Sequence, residues 1–249
     1  MNKPIVICEN SFQVGWAKTI KELQTHDWSA WNVIVQIDNP ELFDNDIDIL
    51  LTTFAKNNNI IIPKHVAHTI FPQSFYINGI TKENLYKKYW RFFNRPREKP
   101  RKGWGTYFKR MIKYPTQNGY TDQLDNIICK INNNEKNYGS SNIIVIPYPD
   151  TDSKKIMGAP CLNYITIQTE NIYGTNNKKI INLLAVYRNH NFTERTYGNY
   201  LGLCNLIKYI ANETNSEIGT LTCISSHAYV QNYKIELLQI SETILEKTS

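Results

Sequence analysis

Short β-branched runs separated by longer stretches of helical periodicity constrain this chain most. Ile5–Cys8, Val33–Ile37, Ile60–Ile62, Ile143–Ile146, Leu162–Gln168, Ile180–Tyr187 and Thr220–Ser225 read as strands. Glu41–Lys56, Thr81–Phe93, Asp122–Asn132, Tyr200–Thr214 and Tyr233–Glu246 read as helices. The clearest helix is Tyr200–Thr214, where Leu203, Leu206, Ile207 and Ile210 recur on one stripe. The elements follow no regular βαβ repeat, and no glycine-rich phosphate loop joins a strand to a helix. The expectation is therefore an α+β fold, a large mixed sheet flanked by helices, rather than a doubly wound one. At 249 residues one such domain fits.

The cysteines and charges narrow the functional classes. Five scattered cysteines (Cys8, Cys129, Cys161, Cys204, Cys223) with no CxxC pair argue against a disulfide framework or a zinc site. They fit a reducing, cytoplasmic compartment, and no metal is expected. MNKPIVICEN lacks the apolar stretch of a signal peptide, and no apolar run reaches the ~20 residues of a membrane span. A net charge of +6 gathers in residues 82–113, where basic and aromatic residues alternate. A solvated basic face, nucleic-acid binding and a small anionic substrate all remain open on that pattern.

The C-terminal half holds the residues that carry chemistry. Cys161 follows Gly158-Ala159-Pro160 and opens a strand. A lone cysteine is most often a small buried hydrophobe. As a thiolate it attacks electron-poor carbon, for which it needs a cation close by. Arg188 ends the next strand, and a hairpin across Asn171–Lys179 would bring its guanidinium towards the sulfur. Asn199, eleven residues on, stands where a helix begins; it reads either as an N-cap or as an amide that donates and accepts at once. His227 and Tyr229 lie two apart on a strand and share a face.

Taken together, the Pro-Cys strand start, the strand-end arginine, the asparagine eleven residues on and the H-x-Y pair resemble the thymidylate synthase family. GWGTYFKRMIKYP (103–115) and the Asp122-Gln123-Leu124 that follows are similar to that family's segments too. The resemblance covers roughly residues 103–240; residues 1–100 are divergent and look closer to archaeal and viral members. It implies a single domain over residues 1–249, paired back-to-back through the sheet as a homodimer. It also implies a pyrimidine nucleotide substrate, dUMP first among them, with 5,10-methylenetetrahydrofolate as carbon donor and no nucleic-acid or membrane partner. Cys161 would add to C6 and Tyr107 would assist proton removal from C5. Arg188 would hold the phosphate and keep the thiolate charged. Asn199 would read the base, and His227 with Tyr229 would bind the sugar.

Several positions depart from the family pattern. The arginine pair expected near Asn137–Ile144 is absent. Asn189 stands for a serine, and Asn191 for the aspartate that contacts folate. Glu194–Gly198 replaces an apolar loop, and no glutamate of residues 1–100 can be matched to the active-site one. Arg95, Arg97, Arg101 and Lys102 are candidate replacements for the phosphate clamp. A hydroxymethylase on the same scaffold and a homologue altered for nucleotide binding or regulation are the alternative functions.

Overall fold

A computed structural model describes residues 3–77, 79–95, 104–133, 139, 142–172 and 178–248. Seven strands form one mixed sheet: β1 (Ile5–Glu9), β2 (Ser29–Ile37), β5 (Asn142–Val145), β6 (Leu162–Asn171), β7 (Lys179–Tyr187), β8 (His190–Asn191) and β9 (Glu217–Tyr229). Their order is β1-β2-β9-β7-β6-β5, with β8 paired to β9. The β1–β2, β7–β9 and β8–β9 pairs are parallel and the others antiparallel. A separate hairpin joins β3 (Tyr114–Thr116) to β4 (Gly119–Thr121). Strand β9 lies between β2 and β7, so the divergent N-terminal strands and the C-terminal half share one sheet.

Nine α-helices occur among the described residues: α1 (Phe12–Thr25), α2 (Asn45–Asn57), α3 (Pro63–Ile70), α4 (Lys82–Phe93), α5 (Tyr107–Ile112), α6 (Gln123–Asn132), α7 (Pro149–Asp152), α8 (Thr196–Glu213) and α9 (Lys234–Thr248). Five of them begin on a capping side chain. Ser11 accepts from Val14 N–H, Asp44 from Asp46 and Ile47, Thr81 from Asn84, Thr106 from Lys109 and Asp122 from Asp125. Each such cap satisfies a backbone donor that the first helical turn leaves open, typically worth about 1 kcal/mol.

The helices pack on one face of the sheet: α1 against β1 and β2, α8 against β7 and β9, α5 and α6 against β5. Strand alternation sends every second residue to that side. One buried row runs straight across it: Ile7, Val35, Cys223, Ala185, Ile165 and Ile144. The adjacent row points the other way and is also apolar: Val6, Ile34, Ile224, Val186, Tyr164 and Val145. Val6, Tyr164 and Val145 are exposed there.

Most expected elements are present, with shifted ends. The exception is Ile60–Ile62, which forms no strand and leads into α3. Pro63 occupies the first position of that helix and keeps Ile62 extended, at φ −65° and ψ 136°. The extended run is therefore a lead-in without a strand partner. Helix α8 starts four residues earlier than Tyr200, because Thr196 Oγ1 donates to the Asn191 carbonyl and ties the first turn to β8. Gly198 and Gly202 let α3 pack closely: a Cβ at Gly198 would meet the Pro63 carbonyl at 2.6 Å. That contact fixes the N-terminal end of α8, which carries Asn199.

Candidate functional site

One end of the sheet gathers the candidate residues: the start of β6, the ends of β7, β8 and β9, and the first turns of α5 and α8. The antiparallel β6–β7 hairpin brings Arg188 to Cys161, as its sequence spacing implies. The Arg188 N–H donates to the Cys161 carbonyl at 2.9 Å. Its guanidinium then turns back, donating through Nε to the Pro160 carbonyl at 3.1 Å and through Nη2 to the Ala159 carbonyl at 3.3 Å. The cation thus sits over the turn that presents the sulfur. Cys161 itself is half-buried, packed against the edge of the core.

Tyr107 opens α5 and is buried beside Cys161. Burial raises its phenol well above the ordinary range, and the Cys161 sulfur adds to the rise. The backbone N–H groups of Leu162 and Cys161 and the charge of Arg195 pull in the opposite direction. Tyr107 is therefore a neutral phenol at neutral pH, with its hydroxyl aimed at the start of β6.

His227 and Tyr229 stack with ring centroids 5.4 Å apart and planes 13° from parallel. His227 Nδ1 meets Asn189 Oδ1 at 2.7 Å and Nε2 meets Ser29 Oγ at 2.9 Å. Burial lowers the imidazole's pKa, which keeps it neutral. An acceptor at Nδ1 makes that nitrogen the protonated one, so Nε2 accepts from Ser29. Burial raises the Tyr229 phenol and the nearby Cys161 adds to this; hydrogen bonds from Asn189 and Asn191 oppose it. Asn189, at the position where the family pattern has a serine, is thus bonded to both members of the pair.

Asn199 is not the helix cap. It lies inside the first turn of α8, buried, with Nδ2 2.9 Å from His190 Nε2. Asn191 is engaged by its own chain: its Oδ1 accepts from Thr193 N–H at 2.9 Å and its Nδ2 faces Gln231 at 3.5 Å. A group offering paired N–H donors, as a folate ring does, calls for a carboxylate, whereas Asn191 sets a donor NH2 beside its single acceptor oxygen, which Thr193 N–H already engages.

Sequence reasoning missed His190, Ser225 and Arg195. His190 lies on the two-residue β8 and Ser225 inside β9, with no motif to mark them, and Arg195 is legible only once its charge is seen to reach Tyr107. Of the candidate clamp residues, Arg95 follows α4, while Arg97, Arg101 and Lys102 lie outside the described residues. Among the described residues no His/Cys/Asp/Glu group is arranged to hold a metal, and no helix is long and apolar enough to cross a membrane.

No family model matches the chain. Three archaeal proteins, each named "Putative thymidylate synthase", are similar to it. Those of Methanosarcina barkeri and Methanosarcina mazei are 26% identical over 134 and 136 residues, 54% of this chain and 56% of theirs. That of Methanococcoides burtonii is 24% identical over 128 residues, 51% of this chain and 53% of its own. The chain spans about half the length of the curated relatives it matches. These are distant relatives, and they support a thymidylate-synthase-like family.

Proposed function

We propose that this chain is a single thymidylate-synthase-like domain that transfers a one-carbon unit to C5 of a pyrimidine nucleotide, dUMP first among them. The observation that supports the reading is the backbone meeting of Cys161 and Arg188: a 2.9 Å bond joins them, and the guanidinium is bonded to the Ala159 and Pro160 carbonyls, on the turn that leads into a half-buried thiol. A thiolate needs such company to form at neutral pH. The distant relatives' names point the same way.

In this reading Cys161 Sγ bonds to C6 of the ring, and the electron pair of the C5–C6 double bond moves to C5 and the C4 carbonyl. C5 is then the nucleophile that accepts the one-carbon unit. Asn199 holds the base edge through its remaining N–H and its Oδ1, and Tyr229 binds the sugar with His227, whose Nε2 exchanges Ser29 for the sugar hydroxyl. Loss of the C5 proton restores the electron pair that expels the sulfur. Tyr107, a neutral phenol beside Cys161, is positioned to relay that proton. The resemblance implies 5,10-methylenetetrahydrofolate as the carbon source; it would supply an electrophilic one-carbon unit and, for a methyl product, the hydride that reduces it, whereas water in place of hydride would give the hydroxymethyl product. Because Asn191 does not fit that group, no step here runs through it.

The engaged Asn191 also favours a second reading, a homologue that binds pyrimidine nucleotide and is altered in its one-carbon step. One experiment separates the two. The protein is incubated with methylenetetrahydrofolate and a panel of pyrimidine nucleotides, and the products and adducts are identified by mass spectrometry. A methylated nucleotide supports the synthase, and a hydroxymethylated one supports the hydroxymethylase. Binding without product supports the altered homologue, and no binding at all ends the proposal.

A further inference from the structure

Behind Asn199 runs a chain of buried polar groups. Asn199 Nδ2 lies 2.9 Å from His190 Nε2, and His190 Nδ1 lies 2.8 Å from Ser225 Oγ. The three residues are only 4%, 1% and 1% exposed, so each depends on the others for its hydrogen bonds. Tyr187 stacks flat on the imidazole, with centroids 4.1 Å apart and planes 8° from parallel, and Tyr200 meets its edge. Tyr187 pairs directly with Ser225 across the β7–β9 ladder, while β8 holds His190 opposite Ala228. The ring is therefore held by separate segments of the sheet and cannot turn alone.

The chemistry of this chain is directional. An amide NH2 group can only donate, so His190 Nε2 must accept and carries no proton. The imidazole proton then lies on Nδ1 and is donated to Ser225 Oγ. Burial holds the ring neutral, with its pKa pushed down to about 3. The opposite amide orientation would place Oδ1 against Nε2. It would require the proton on Nε2 and a serine hydroxyl donating to Nδ1, a different state of all three groups.

That direction matters because an amide edge reads either pyrimidine. Its N–H and oxygen match O4 and N3–H of uracil; turned over, they match N4–H and N3 of cytosine. Shape alone does not separate the two bases, so the orientation of the amide does. We propose that His190, held by Ser225, is a positioning residue that locks the Asn199 amide in one orientation and so gives the site a single pyrimidine preference. This rests on reading the site as one for pyrimidine nucleotides.

Two measurements test it. Nitrogen NMR of the histidine-labelled protein should show His190 with a pyrrole-type Nδ1 and a pyridine-type Nε2. Calorimetric titration with dUMP and dCMP should show wild type favouring dUMP. Ser225→Ala removes the acceptor of the Nδ1 proton and should reduce the dUMP/dCMP affinity ratio about tenfold, the scale of one misdirected buried hydrogen bond. A protonated Nε2 in wild type overturns the lock even if the variant fails to fold. So does a Ser225→Ala protein that binds dUMP with an unchanged ratio. If wild type binds neither nucleotide, the pyrimidine reading falls and base selection falls with it. The His190 signal would then report separately that the hydrogen-bond direction itself was right or wrong.

Discussion

Arg188 donates through Nε to the Pro160 carbonyl at 3.1 Å, so the residue that the resemblance assigns to phosphate also fastens the turn before Cys161. A guanidinium has five donors in a rigid fork, and bonding the turn with one part leaves another for an anion. Arg188 lies at the surface, so its loss should cost the fold little, on the order of 1 kcal/mol. The nucleotide should suffer more.

Arg188→Ala is expected to weaken dUMP binding by about ten- to a hundredfold, the scale of a lost charge-assisted bond, and deoxyuridine binding far less. Arg188→Lys keeps the charge without the fork and should fall between them. Titrating nucleotide and nucleoside against the three proteins checks this. If wild type binds deoxyuridine as tightly as dUMP, the phosphate role is wrong and the arginine only fastens the turn.

The five thiols should separate by burial. Cys8 and Cys129 are exposed and Cys161 half-buried, whereas Cys204 and Cys223 are enclosed. Burial pushes the Cys204 thiol up to about 12 and the Cys223 thiol higher still. Iodoacetamide at pH 8 should therefore modify the first three in the native protein and spare the last two until it unfolds. Added dUMP should slow only the Cys161 reaction, and Cys161→Ser should abolish turnover. Full turnover by Cys161→Ala would remove covalent catalysis from the proposal.

Local patterns in the chain carried six of the strands, five of the helices and the β6–β7 hairpin, but not α1, α3, α5, α7 or the short strands β3, β4 and β8. Period-two alternation and helical spacing are set by neighbours within one element, so they survive in the sequence. Ile60–Ile62 misled because its β-branched side chains fit an extended lead-in as well as a strand; only a sheet partner separates the two. The same limit applies at the site. Cys161, Arg188, Asn199, His227 and Tyr229 stood out by order and spacing. His190 and Ser225 matter through a contact spanning 35 residues, which no local pattern records.

Burial of His190 predicts an acid-side loss of stability. Its pKa is about 3 in the folded protein against an ordinary 6.5, so between those values the unfolded chain binds more protons. Stability must therefore fall as pH drops below 6.5. From pH 6.5 to 5 the loss from this one group is about 2 kcal/mol, at 1.36 kcal/mol per pH unit. Asp152, paired with buried Arg110, is held near 2 and adds its own loss only below its ordinary 3.8. Urea unfolding at pH 7 and pH 5 should show the drop in wild type, and His190→Gln should lessen it. Equal losses in both proteins would show that the histidine is not kept neutral by the fold.

The open face of the sheet supplies the last test. Val6, Ile34, Ile224, Val186, Tyr164 and Val145 make one continuous apolar row across six strands, on the side away from the helices. A row of this extent left in water is unusual for a monomer, and a second copy offers the same flat surface to cover it. The proposal is a two-fold dimer joined face to face through the sheet. A stable interface of this kind buries at least about 1,000 Å² in total, and its centre should tolerate no charge. Ile224 and Val186 are paired neighbours in the middle of the row. Ile224→Lys or Val186→Glu should place an unpaired charge in a desolvated contact and convert a dimer to a monomer. Sedimentation velocity at micromolar concentration reads the outcome directly. A wild type that sediments as a monomer, or variants that stay dimeric, would mean the row is covered in some other way.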